Sequence, residues 1–273
     1  MAKLGIFDSG FGGLTVLKKY KELLPQYSYI YLGDNARAPY GNHSQERIYE
    51  YTQQAVEFLF QQGCALVILA CNTASAAALR RLQQEWLPIN CPERRILGVI
   101  RPTVEEVLDN VKSKNIGILG TRATVATNAY TIELKKLAQV RKLQIYQQAC
   151  PLLVPLIEEG WLRRPETKMI LKKYLHQLKT YNLDTLILGC THYSLLKKII
   201  EKYMGKRIRV FCSSDCATRK LVDYLKRHPE IEQQLEKGDS ITFYSTDDPE
   251  KFKKLGSLFL GKQIKEVEKV KLD

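Results

Sequence analysis

Two cysteines of the chain sit in matching company. Residues Ala65-Leu66-Val67-Ile68-Leu69-Ala70 run into Cys71-Asn72-Thr73, and Asp184-Thr185-Leu186-Ile187-Leu188-Gly189 run into Cys190-Thr191-His192. Each thiol is flanked by small hydrogen-bonding side chains, and three chemistries are open to such a pair. Redox partners more typically read Cys-x-x-Cys. A nucleophile with a bystander needs one histidine-activated thiol, and only Cys190 has a near histidine, His192. An acid/base pair would suit inversion of a carbon stereocentre, in which a base removes hydrogen from one face and an acid returns it to the other. The ordinary pKa of a thiol, about 8.5, is readily moved toward working pH by neighbours. Two unrelated buried cysteines are the plain alternative.

The elements that would position these thiols are legible. Each apolar run has the length and β-branched content of a buried parallel strand, and each is followed by a helix-competent stretch, 74–85 and 195–203. Both cysteines then fall at the C-terminal end of a strand, where open α/β sheets place their ligand crevices. A second pair keeps step with the first. Lys3-Leu4-Gly5-Ile6-Phe7-Asp8-Ser9-Gly10 is similar to Asn115-Ile116-Gly117-Ile118-Leu119-Gly120-Thr121-Arg122, at nearly the offset that relates Cys71 to Cys190. Two halves of similar design, facing each other across one site, are the expectation.

Further candidates lie at the other strand ends. After the first strand comes Asp8-Ser9-Gly10-Phe11-Gly12-Gly13, which lacks the third glycine of the dinucleotide fingerprint. Asp8 is either a turn or capping residue or a catalytic one. A strand at 29–32 leads into Gly33-Asp34-Asn35-Ala36-Arg37-Ala38-Pro39-Tyr40-Gly41, dense in turn formers yet carrying an acid, a base and a phenol, as a binding loop would. Thr121 and Thr124 open a helix, as carboxylate ligands or as plain caps. Glu158 and Glu159 end an apolar segment.

The remaining pattern reads as helices at 14–23, 47–61 (capped by Ser44), 102–111, 166–181, 215–226 and 249–260, and strands at 96–100, 143–149, 207–212 and 240–245, with a Pro- and charge-containing break at 88–95.

The 273 residues can bury a large core or two domains. No apolar run approaches the length of a transmembrane helix, and Met1-Ala2-Lys3 leads straight into a strand, so no membrane segment, no signal peptide and a cytoplasmic location are expected. Seven cysteines, an odd count, argue against a disulfide framework; Cys212-x3-Cys216 has no second pair at zinc spacing, so no metal is expected, and Cys64, Cys91 and Cys150 read as small buried hydrophobes. The net charge of +13 is spread over helical surfaces and a tail at 262–271 without a base-stacking motif. It reads as a solvated surface that concentrates anionic substrates rather than an obligatory nucleic-acid site.

Phe7-Asp8-Ser9-Gly10-Phe11-Gly12-Gly13-Leu14, the 33–41 loop, Ala70-Cys71-Asn72-Thr73-Ala74-Ser75-Ala76 and Gly189-Cys190-Thr191-His192-Tyr193 together resemble the glutamate racemases of the aspartate/glutamate racemase family, over essentially the whole chain. The resemblance implies two pseudo-symmetric open-sheet α/β domains, 1–97 plus 208–273 and 98–207, with the active site in the cleft between them. It implies cofactor-independent racemisation of L-glutamate to D-glutamate for peptidoglycan, without pyridoxal phosphate, and is compatible with a homodimer. An aspartate racemase is the neighbouring alternative. Cys71 and Cys190 would be the two acid/bases, assisted by Asp8 and His192. Asp34 and Glu158 match acids of the family, with Glu159 close enough to compete with Glu158. Asp8, Ser9, Pro39, Tyr40, Gly41, Asn72, Thr73, Thr121 and Thr191 would surround the substrate together with both cysteines and His192, with backbone amides of Tyr40 and Gly41 on one carboxylate. The chain departs from the family's usual residues at Asn35, Thr103 and Ser194.

Overall fold

The computed structural model describes residues 1–110, 114–139 and 142–272. Among the described residues ten strands form two parallel sheets: β1 (Lys3–Asp8), β2 (Tyr29–Gly33), β3 (Cys64–Leu69), β4 (Arg95–Gly98), β5 (Asn115–Gly120), β6 (Gln144–Ala149), β7 (Thr185–Gly189), β8 (Arg209–Cys212), β9 (Ile241–Ser245) and β10 (Glu268–Lys269). The first sheet has the order β10-β9-β2-β1-β3-β4 and the second β6-β5-β7-β8. Remove β9 and β10, and the two orders are the same. The paired sequence motifs thus mark corresponding strands, β1 with β5 and β3 with β7. Parallel neighbours need crossover helices that cover both faces of a sheet, which is why β3 and, after Thr185, β7 are apolar and both are buried along their whole length.

In both sheets the C-terminal strand ends lie together. Asp8 is level with Gly33 across β1 and β2, and Gly120 is level with Gly189 across β5 and β7. The helices supply the matching apolar faces. Gln45–Gln61 starts where the Ser44 hydroxyl accepts from the Arg47 amide, and buries Ile48, Thr52, Ala55, Val56 and Leu59 at helical spacing. Pro249–Leu260 is capped by the Asp248 carboxylate and closed by Gly261 at φ 73°, where a Cβ would be strained.

Several boundaries differ from expectation for local reasons. The stretch expected to be helical over 74–85 begins at Asn72, because the Cys71 side chain caps it, and runs in pieces through a π-helical turn (Leu82–Trp86) to Leu87–Asn90. Pro88 therefore lies inside the helical run, directly after the π-helical turn and at the start of Leu87–Asn90. The strand expected to reach residue 100 stops at Gly98, and Ile100–Asn110 is already helical; the expected end of that helix at Val111 lies outside the described residues.

The return to the first sheet, expected from 208, comes later. β8 pairs with β7 and stays in the second sheet, and β9 is the strand that joins β2. The basic tail is also tied down, since Glu268 and Lys269 pair with Tyr244 and Ser245. Cys64 and Cys150 are buried as expected, whereas Cys91, following a helix end, is half-exposed.

Candidate active site

Cys71 stands two residues beyond β3 as the N-cap of Asn72–Ala77. Its Sγ accepts from the Ala74 amide at 3.5 Å and lies 3.5 Å from the Ser9 hydroxyl, which the β1 turn supplies. The residue is 5% exposed. Burial, and next the negative charge of Asp8, push its thiol up to about 12, against the weaker help of Ser9 and the Ala74 amide.

Cys190 follows β7 directly but caps nothing. A 3-10 segment, Thr191–Leu196, comes next, and the Cys190 Sγ lies 3.9 Å from His192 Nδ1. The other ring nitrogen, Nε2, is 2.9 Å from Glu158 Oε1. Burial works against the imidazolium, but contact with Cys190 and Glu158 outweighs it and His192 is pushed up to about 10. Phe259 meets the imidazole edge-on, with ring centroids 5.3 Å apart. Glu158, not Glu159, makes this contact; Glu159 lies past the end of Leu153–Glu158 and is exposed.

Asp8 lies between the two halves. Its Oδ1 accepts from the Gly10 amide at 2.9 Å and its Oδ2 from the Thr191 hydroxyl at 3.4 Å. Burial raises its pKa, opposed by the charge of His192 and by the amides of Gly10 and Gly13. It acts on Cys71 through its charge rather than through a hydrogen bond.

Three further contacts cross from one half to the other. A side chain at Gly12 would overlap the Thr191 hydroxyl and the His192 ring, so only glycine lets the β1 turn close on that loop. A Cβ on Gly41 would come within 2.7 Å of the Thr121 Cβ. Thr73 Oγ1 lies 3.0 Å from Thr121 Oγ1 and 3.3 Å from Thr124 Oγ1, and Thr121 and Thr124 are themselves 3.0 Å apart. Thr121 also caps Arg122–Ala126 by accepting from the Thr124 amide, so its two anticipated uses are not exclusive.

Asp34 is placed differently from the other acids. It is fully buried, and its Oδ2 accepts from Arg37 Nε at 2.7 Å and from the Tyr40 hydroxyl at 2.5 Å, while Oδ1 accepts from the Thr246 hydroxyl at 2.8 Å. These bonds hold the 33–41 loop, with its cis Ala38–Pro39 peptide and buried Tyr40, against the first sheet. The carboxylate contacts neither thiol.

Residue spacing missed Tyr130, Ser213 and Gly12. Tyr130 donates to Asn72 Oδ1 at 2.7 Å, and Asn72 Nδ2 donates to the Ser213 hydroxyl at 3.0 Å, over 58 and 141 residues of chain. No local pattern signals either contact. Among the described residues no group of three or more His, Cys, Asp or Glu could hold a metal ion, and no helix is long and apolar enough to cross a membrane.

Two related strand ends each carry a buried thiol, and residues 12–221 match the Asp/Glu/hydantoin racemase family. The chain belongs to that family. It is an amino-acid racemase, hence an isomerase, and its relatives are glutamate racemases. That of Chlorobaculum tepidum is 39% identical, over 98% of this chain and 95% of its own length. A glutamate racemase isoform of Bacillus anthracis superposes with a TM-score of 0.90 at 33% identity, covering 99% of this chain and 98% of that one. The Francisella tularensis glutamate racemase, solved in complex with D-glutamate, gives 0.87 at 33% identity, covering 100% and 98%. Both architecture and racemase chemistry thus agree with what the sequence resemblance implies.

Proposed function

We propose that this racemase interconverts L- and D-glutamate by direct proton transfer between two thiols, without a cofactor. The observation that carries the reading is the pair Cys71 and Cys190, at corresponding strand ends of two sheets with the same order, each with its own polar partner. Its support on substrate is the likeness to glutamate racemases over nearly the whole chain, one of them holding D-glutamate.

In the L-to-D direction the Cys190 thiolate takes the α-hydrogen, its electrons remain on the substrate as a carbanion, and the Cys71 thiol gives its proton to the opposite face. The turnover leaves Cys190 as thiol and Cys71 as thiolate, the state from which D-glutamate reacts. His192, oriented by Glu158, is the counter-ion for negative sulfur at Cys190, and Ser9 with the Ala74 amide serves Cys71. Asp8 tunes both sides by its charge. Asn72, Thr73, Thr121 and Thr191, with the amides of Tyr40 and Gly41, are the groups for the substrate's carboxylates and ammonium. Donors around the α-carboxylate would stabilise the charge that develops there. Asp34 and Pro39 shape the loop that carries Tyr40 and Gly41. Both sulfurs are buried, and Gly12 and Gly41 close on the opposite half, so entry of substrate requires the halves to separate.

The biological role that follows is supply of D-glutamate for peptidoglycan in the cytoplasm, by an enzyme compatible with a homodimer. Circular dichroism of purified protein with L-glutamate and no added cofactor should show decay of the signal to zero. No decay would overturn the function, and equal or faster decay with L-aspartate would overturn the substrate.

A further inference from the structure

The Asn72 side chain follows Cys71 at the start of Asn72–Ala77 and is itself 2% exposed. Its amide is held at both ends by groups from elsewhere in the chain. The Tyr130 hydroxyl, in the first turn of Ala129–Ala138, donates to Oδ1 at 2.7 Å, and Nδ2 donates to the Ser213 hydroxyl at 3.0 Å, at the start of Ser213–Arg227. Both partners are buried and both follow strands of the second sheet, whereas Asn72 follows β3 of the first. The Thr103 hydroxyl, which donates to the Val99 carbonyl at 2.6 Å, lies beside the Tyr130 phenol.

An asparagine amide has one acceptor oxygen and two N–H donors, and its orientation is set by which neighbours demand a donor or an acceptor. The Tyr130 and Ser213 hydroxyls hold the amide at both ends, by bonds of 2.7 Å and 3.0 Å, so the side chain cannot swing away without losing one of them. One N–H then remains for a ligand. We propose that Tyr130 and Ser213 are positioning residues for racemisation: from the second half they fix the Asn72 amide so that its remaining N–H meets the substrate. The site's own binding group would then be correctly set only while the two halves keep the relation seen here. Burial pushes the Tyr130 phenol far above its ordinary value, which keeps it a donor at every working pH.

A purely structural role is the competing account, because the Tyr130 ring also packs in the core with Ile100, Val104, Ile118 and Leu134. Tyr130→Phe keeps the ring and removes the bond. The inference rests on the two-thiol glutamate reading with Asn72 as a substrate group, and a mutant cycle separates their failures. Y130F, N72A and the double variant are assayed with both enantiomers, alongside their melting temperatures.

The expected result is a rise in KM of about fivefold in Y130F for both enantiomers, the scale of one hydrogen bond, with kcat within about twofold. In the N72A background the same change should add less than about twofold, because Tyr130 acts through Asn72. An unaltered KM in Y130F, or its full factor persisting on N72A, would overturn the proposal while leaving racemisation intact. Wild-type protein inactive on glutamate would instead sink the functional reading. If Y130F does not fold, Ser213→Ala enters the same cycle from the other end of the amide, with the same two outcomes deciding.

Discussion

At the end of β3 the chain turns straight into a helix, and the Cys71 sulfur is held at its start by a backbone amide and a serine hydroxyl. At the end of β7 the corresponding turn is a 3-10 segment, and the Cys190 sulfur faces an imidazole that a carboxylate orients. The two sheets share their strand order, so the difference lies in the few residues after each strand. Two thiols can be delivered to corresponding strand ends by repeated architecture, while their electrostatic surroundings are set separately. Burial and Asp8 hold Cys71 as a thiol, pushed up to about 12. His192, raised to about 10, sets a cation beside Cys190. The two sulfurs thus stand in opposite electrostatic surroundings, an anion beside Cys71 and a cation beside Cys190.

The harshest way to break this comparison is to remove one side. Cys71→Ala and Cys190→Ala should each lose at least about 10³-fold in racemisation, since inversion needs both an acid and a base. In deuterated water the survivors should differ. Cys190→Ala should retain α-hydrogen exchange of D-glutamate and spare the L form, and Cys71→Ala the reverse, because a remaining thiolate reaches only the face it lines. Similar exchange of both enantiomers in one variant, by proton NMR, would mean that a single base serves both faces.

Removing a sulfur's partner is milder. His192→Asn should cost about 10²-fold and Asp8→Asn about tenfold. A racemase has an equilibrium constant of one, so kcat/KM must fall equally in both directions, and rates alone cannot say which thiol was harmed. Isotope effects can. In His192→Asn, α-deuterated L-glutamate should show a larger primary effect than wild type, because removal of deuterium by Cys190 has become more limiting. α-Deuterated D-glutamate should show a smaller one. Equal changes for the two enantiomers would detach His192 from Cys190.

Milder still, iodoacetamide at pH 7 should label Cys190 about tenfold faster than Cys71, because burial and Asp8 hold Cys71 as the unreactive thiol. The two residues are nearly equally buried, 5% and 7% exposed, so access differs little between them. Peptide mapping that finds equal labelling, or Cys71 first, would overturn the contrast between their surroundings.

What the sequence made legible follows from what kind of signal each feature leaves. Parallel strands covered on both faces are continuous apolar runs, so β1, β3, β5 and β7 were readable, and with them the repeat and both cysteines. The residues after the strands were readable only as types. Cys71 caps a helix and Cys190 does not, although both sit before small polar residues; nothing in Cys71-Asn72-Thr73 against Cys190-Thr191-His192 separates those geometries. The contacts that join the halves, Gly12 on Thr191, Gly41 on Thr121 and Asn72 between Tyr130 and Ser213, depend on how two sheets meet. Asp34 looked like its fellow acids because it follows a strand, but its oxygens are occupied by Arg37, Tyr40 and Thr246. The return to the first sheet was placed at 208 from the family resemblance alone, not from any signal in the residues there. Pairing of Arg209 with Thr185 keeps that segment in the second sheet.

The smallest effect tests the electrostatic side of the comparison without any substrate. An unfolded histidine titrates near about 6.5, whereas His192 in the fold is raised to about 10. Between those values the folded state holds a proton that the unfolded chain has released, so stability falls as pH rises. The contribution of His192 is complete below the lower value and lost above the upper one. Cys71 is raised too, from 9.0 to about 12, so its loss of the same sign belongs to higher pH. Asp8, also raised, adds a loss that begins at lower pH. The difference between wild type and His192→Gln therefore isolates the Cys190 side. From pH 6.5 to 9.5 the wild-type melting temperature should drop by several degrees more than that of the variant. Parallel profiles would mean that His192 is not held as a cation beside Cys190, and the two thiols would lose the difference on which their division of labour depends.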